Sequence, residues 1–183
     1  MALAVHGASA RGGVNRQALS SEDIDAQRTM TDWARARGLS VHSDPLGNFF
    51  IRLEGREPQL PPVLTGSHLD SQPTGGKFDG VYGVLAGFEL LEAIRDSGLQ
   101  PRRSIEVVAW MNEEGSRFAP GMMGSAGFAG ARSVDDILAV RDAQQISVAN
   151  ALDDVRRAQP DIPLRPLGFP VHCYVEAHIE QGP

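Results

Sequence analysis

Residues 105–111 (IEVVAWM) constrain the fold more than any other stretch, because a nearly unbroken β-branched and apolar run is the pattern of a central parallel strand buried on both faces. Upstream, Pro61 to Thr65 enters a shorter buried strand. Between the two, Val81 to Ile94 is apolar nearly all round, as in a helix packed between a sheet and another layer, and Gly98 and Pro101 close it. Strand, helix and strand make a βαβ unit, whose crossover is right-handed in nearly all cases, so both strands end on the same edge of the sheet. The expected class is α/β, with a central, mostly parallel sheet flanked by helices.

The remaining chain fits around this unit. Met1 to His6 reads as the last turn of a helix. Ser20 or Ser21 caps a helix that carries Glu22 and Asp23 in its first turn and an apolar stripe of Ala26, Met30, Trp33 and Ala34, ending at Gly38. Leu39 to Leu53 holds two strand-like pieces around a turn at Asp44 to Asn48, and Glu54 to Pro62 is a polar, proline-bearing loop. Gly121, Gly124, Gly127 and Gly130 recur at every third residue, which does not make a helical face and reads as a tightly packed loop. Ser133 to Val140 and Ser147 to Ala158 are expected helices. After a proline-rich connection, Val171 to Ala177 is an expected strand leading into His178, Glu180 and Gln181.

At 183 residues the chain is sized for one domain with a substantial core. A net charge of -6, with 17 Lys and Arg that form no basic stripe, argues against a nucleic-acid partner. Cys173 has no internal disulfide partner and is expected to pack in the core of its strand. No stretch approaches the ~18 apolar residues of a membrane span, and the short apolar start lacks the features of a secretory signal. A cytoplasmic protein without a membrane partner is the expectation.

The chemistry collects at strand ends. The segment GSHLDSQPTGGKFDG (residues 66–80) places His68, Asp70 and Asp79 in one expected loop; Glu113 and Glu114 follow the central strand directly, and His178 follows the last one. If the strands are parallel, these groups meet on one edge. Imidazole and carboxylate are the usual ligands of zinc and its first-row neighbours. Two carboxylates at a buried edge also need a cation to offset their repulsion and lost hydration. Taken singly, His68 also fits a hydrogen-bonded loop histidine, and Glu113 with Glu114 a solvated surface pair. Asp70 can orient the His68 ring or cap the turn at Ser71 to Thr74. His42 and His172 read as structural. A phosphate loop fails because Gly76-Lys77 is followed by Phe78, and no dinucleotide fingerprint is present.

The motifs GSHLDSQPTGGKFDGVYGVLAG, AWMNEEGSRF and AHIEQGP, in this order, together with the earlier GGVNRQALS and DPLGN, resemble the N-carbamoyl-L-amino acid hydrolase and allantoate amidohydrolase family. That family is grouped with the dinuclear zinc aminoacylases and carboxypeptidases, and the likeness covers nearly the whole chain. Carried over residue by residue, it implies that His68, Asp79 and His178 hold one metal. Asp79 would bridge to a second metal bound by Glu114 and by a further histidine downstream. Glu113 would be the general base, Asp70 the orienting partner of His68, and Gln181 a substrate-binding residue. The implied cofactor is Zn2+, two per active site, with Mn2+, Co2+ or Ni2+ as alternatives. The implied reaction is hydrolysis of linear C–N bonds in small ureido or N-acyl amino acid substrates, in which Glu113 takes a proton from water and returns it to the departing nitrogen.

Members of the family are considerably longer, with a lid domain that makes a homodimer. Residues 1–183 are therefore expected to be the N-terminal portion of the metal-dependent catalytic domain, with the lid and dimerisation domain absent, one metal site one ligand short, and an exposed sheet edge. The alternative is a non-catalytic fragment that fully binds at most one metal or needs a partner chain.

Overall fold

The computed structural model of the protein describes residues 2–181, so Met1 and the last two residues of the AHIEQGP motif lie outside it. At its centre is β4 (Ile105–Trp110), in which all but the first residue is buried. Side chains alternate across a strand. Val107 and Ala109 accordingly join one apolar cluster, while Val108 and Trp110 join another on the opposite face. β3 (Val63–His68) lies parallel to β4, with His68 opposite Trp110, and the two are linked through α2 (Val81–Asp96). Gly87 lets α2 lie close to the sheet: a Cβ there would come within 3.0 Å of both Thr65 and Val107.

The sheet order is β1-β2-β4-β3-β5. β1 (Ser40–Ser43) and β2 (Phe49–Leu53) form a hairpin around the expected turn, and β2 then pairs antiparallel with β4. The sheet is thus mixed rather than mostly parallel, since strands joined by a tight turn can only run antiparallel. The parallel part, β4-β3-β5, is the part that carries the site. β5 (Cys173–Val175) pairs parallel with β3 at the sheet edge, and all three of its residues are exposed. It is shorter than the expected strand, and Cys173 is exposed rather than packed in the core, because an edge position leaves its side chain open to solvent.

One layer is made by α1 (Ser21–Ala36) and α2, whose Ala26, Met30, Phe88 and Leu91 pack with Ile51 and Val107. Ser20 caps α1 by accepting from the Asp23 N–H, and Asp23 returns the bond by accepting from the Leu19 N–H. Ala2–Val5 is one 3-10 turn. Three short helices follow, α3 (Met123–Phe128), α4 (Val134–Ala139) and α5 (Val148–Ala158); their Met123, Ile137, Ala151 and Leu152 pack with Met111 and with Ile24 of α1, and Ser133 and Ser147 cap α4 and α5.

The glycine run is not a loop throughout, because Gly124 and Gly127 sit inside α3. The close backbone approach these glycines allow is real: a Cβ on Gly124 would meet Asn48 Oδ1 at 2.1 Å. Among the described residues no helix is long and apolar enough to cross a membrane.

Candidate metal centre

His68 is the last residue of β3 rather than part of the loop, and its ring is buried. The ring Nδ1 lies 2.9 Å from the backbone carbonyl oxygen of Asp70, so Nδ1 carries the proton and Nε2 faces the opposite way. Gly80 packs on the other side of the ring, where a Cβ would stand 2.4 Å from its atoms. Gly80 has φ +64 and ψ -46, and the Val81 N–H donates to the Asp79 carbonyl across it at 2.6 Å. This is a γ-turn of the kind strained for any side chain, and it puts Asp79 at the entrance of α2.

Three ligand-type atoms converge here. His68 Nε2 and His178 Nε2 are 3.4 Å apart, and Asp79 Oδ1 lies 3.8 Å from the first and 3.6 Å from the second. A tetrahedral zinc with bonds of ~2.0–2.1 Å separates its ligand atoms by about 3.3–3.4 Å, so the trio needs only a few tenths of an ångström to close on a cation. The other oxygen of Asp79 accepts the Gln181 N–H at 2.7 Å, which fixes the carboxylate. Glu113 Oε2 adds a fourth acceptor 3.6 Å from His68 Nε2, and its side chain is about one-third exposed, open to the site. Burial alone would lower the His68 pKa, but the charges of Asp70, Glu113 and Glu114 and the Asp70 carbonyl hold it above the usual value.

The Asp70 carboxylate does not orient the ring: its Oδ1 is 3.8 Å from His68 Nδ1, while the Asp70 carbonyl makes the contact. Nor does it cap the turn at Ser71 to Thr74. It accepts the backbone N–H groups of Glu113 and Glu114, both at 3.2 Å, and so clamps the turn after β4 beneath β3. Burial pushes its pKa up to about 7, with His68 opposing. Glu114 stands outside the trio. Gln72 donates to its Oε2 at 2.7 Å, and its Oε1 is buried with no hydrogen-bond partner among the described residues. Burial raises its pKa. The Gln181 side chain accepts the Phe78 N–H at 3.0 Å and lies against Gly76.

Sequence reasoning missed Arg16. Its guanidinium is fully buried and donates to the carbonyls of Leu69, Leu3 and His6, and its backbone exchanges hydrogen bonds with Ser71. It therefore holds the backbone that supports the His68 ring. The only sequence signal was a lone charged residue, Arg16, within GGVNRQALS. Glu176 and Ser67 were also missed. His42 is partly buried and His172 exposed, and neither belongs to the trio.

The donor set therefore fits a divalent cation: two imidazoles and a fixed carboxylate whose ligand atoms all lie within 4.8 Å of one another. The profile of peptidase family M20/M25/M40 matches residues 64–183. An N-carbamoyl-L-amino-acid amidohydrolase of Rhizobium meliloti is 40% identical over 184 residues, covering 100% of this chain and 43% of the relative. An allantoate amidohydrolase of Bacillus subtilis is 36% identical over 180 residues, covering 98% and 43%. A crystal structure of a hydantoinase/carbamoylase family amidase from Burkholderia ambifaria superposes with a TM-score of 0.92 at 48% identity, covering 100% of this chain and 44% of that one. The chain thus spans less than half the length of these relatives. With the matched region taking in His68, Asp79, Glu113 and His178, the chain belongs to peptidase family M20/M25/M40.

Proposed function

We propose that residues 1–183 are the N-terminal portion of a metal-dependent catalytic domain that hydrolyses a linear C–N bond in a ureido or amide substrate, such as an N-carbamoyl-L-amino acid or allantoate. The observation that carries this reading is the convergence of His68 Nε2, Asp79 Oδ1 and His178 Nε2 on one point. The names of the relatives support the substrate class. Zinc is the metal this donor set favours. A second cation would draw on Asp79 and Glu114, and the buried, unpartnered Oε1 of Glu114 is the observation in its favour.

A divalent cation held there supplies Lewis acidity and lowers the pKa of water. The protein's own groups do the rest. The Asp70 carbonyl keeps the proton of His68 on Nδ1, leaving Nε2 as a donor atom. The Gln181 N–H keeps Asp79 Oδ1 turned toward both imidazoles. Glu113, with its backbone clamped by Asp70 and its carboxylate beside the trio, takes a proton from water and delivers it to the departing nitrogen.

The purified chain, loaded with zinc and given N-carbamoyl-L-amino acids or allantoate, should release ammonia or free amino acid. Loss of this activity in Glu113→Gln with metal content unchanged is the expected result, and an equally active Glu113→Gln refutes the assigned base. The three converged donors, with Glu114 held apart by Gln72, favour a second reading, a non-catalytic fragment that fully binds at most one metal or needs a partner chain. One bound metal without turnover favours the fragment.

A further inference from the structure

Past Val175 the chain carries His178 to the metal centre without regular structure, and residues 178–180 are exposed. Pairing of β5 with β3 stops with Val175 opposite Thr65, short of the His68 end of the strand. Apolar burial therefore does not hold His178; polar contacts must. Two of them lie downstream, where Gln181 meets Asp79 and Phe78. Upstream, the Ala177 carbonyl oxygen lies over Gly83 of α2, where a Cβ would come within 2.2 Å.

The upstream grip is made by Glu176. One of its oxygens accepts from the hydroxyl of Ser67 at 2.5 Å, and the other accepts from the Tyr174 hydroxyl at 2.7 Å. The Tyr174 hydroxyl in turn receives the Trp110 Nε1–H at 3.0 Å and stands 3.2 Å from the Gly66 carbonyl oxygen. Ser67 is fully buried and immediately precedes His68, while Glu176 is two residues from His178. A single carboxylate therefore ties the backbone before one imidazole to the backbone before the other, and anchors both to β4 through Trp110.

We propose that Glu176 is a positioning residue for the metal centre, holding His178 against His68 and Asp79 through its two-pronged bond to Ser67 and Tyr174. This inference rests on the reading of His68, Asp79 and His178 as ligands. Groups that orient metal ligands from behind change metal affinity even though they never touch the ion. Glutamine can keep the geometry: its oxygen accepts from Ser67, its amide donates to the Tyr174 oxygen, and the tyrosine proton turns to the Gly66 carbonyl.

The test is titration of the full chain with Co2+, read by visible absorption, for wild type, Glu176→Ala, Glu176→Gln, Ser67→Ala and His178→Ala. The expected result is affinity about 10–100-fold weaker in Glu176→Ala with an altered cobalt spectrum, and recovery to within about threefold of wild type in Glu176→Gln. Wild-type affinity in Glu176→Ala while His178→Ala loses binding overturns the positioning role and leaves the metal site standing. An equal loss in Glu176→Gln also overturns it, by showing that charge rather than geometry matters. Wild-type binding by His178→Ala overturns the metal site and this inference with it. Should Glu176→Ala fail to fold, Ser67→Ala decides: weaker binding supports the role, and unchanged binding refutes it.

Discussion

Replacing Gly80 by alanine tests the construction of the site most directly, because the new methyl meets two separate obstacles. The first is the backbone: φ +64 with ψ -46 holds Gly80 in a γ-turn, and a side chain forced into so sparse a region costs about 1–3 kcal/mol. The second is the His68 ring, whose atoms would lie 2.4 Å from the Cβ. Ordinary carbon contacts need ~3.5 Å, so the ring must move by about 1 Å. It is held by the Nδ1 bond to the Asp70 carbonyl and cannot retreat without weakening it. Overpacking of this kind adds about 1–3 kcal/mol, for a total of about 2–6 kcal/mol.

Gly38→Ala is the matched control. That glycine has φ +71 but nothing within 4 Å of a Cβ, so it isolates backbone strain without the collision. Urea denaturation of the metal-free proteins gives the stabilities, and Zn2+ titration gives the affinities. Gly80→Ala should lose more stability than Gly38→Ala and should also bind zinc more weakly, because the displaced ring carries Nε2 away from Asp79 and His178. Equal stability losses with equal zinc affinity would refute the packing of His68 against the entrance of α2.

Three further outcomes are expected. Arg16→Ala should destabilise the protein by about 2–4 kcal/mol, since it leaves buried carbonyls of Leu69 and Leu3 without a donor; a change under about 0.5 kcal/mol in chemical denaturation would show the clamp to be dispensable. Zinc at about 100 times its dissociation constant should raise stability by ~2.7 kcal/mol, an increment that chelator removes and that His178→Ala lacks; equal stabilisation of that variant would place the ion elsewhere. Asp44, buried in the turn between β1 and β2, has its carboxyl pushed up to about 6 by burial, against hydrogen bonds from Asn48 and Leu46 that favour the charge. Its folded-state pKa exceeds the unfolded value, so the native state binds the proton more tightly. Its penalty is therefore absent below about pH 4 and grows as pH rises to 6. Stability of Asp44→Asn should depend less steeply on pH than wild type in that window, and identical slopes would exclude Asp44 as the group responsible.

Much of this was written locally in the chain. The β-branched run of β4, the helix α2 and the serine caps of α1 and α5 depend on neighbours a few residues away, and periodicity and capping express that directly, although Tyr82, Leu85 and Leu90 of α2 are exposed rather than covered by another layer. The residue types of the site were legible for a related reason. A βαβ unit brings its strand ends to one edge whatever fills the loops, so His68, Asp79 and the Glu113–Glu114 pair had to arrive together.

Partners far apart in sequence were decided by packing alone. No local pattern shows that Asp70 turns its carboxylate to the N–H groups of residues 113 and 114, or that a buried guanidinium at position 16 donates to the Leu69 carbonyl. The placement of β2 beside β4, which makes the sheet mixed, and the exposure of Cys173 on an edge strand likewise follow from which elements end up adjacent. Sequence determined which groups this protein brings to its site. Tertiary structure decided which atom of each group faces the others, because a hydrogen bond between residues about 40 or 100 positions apart exists only once the fold has brought them within 3.2 Å.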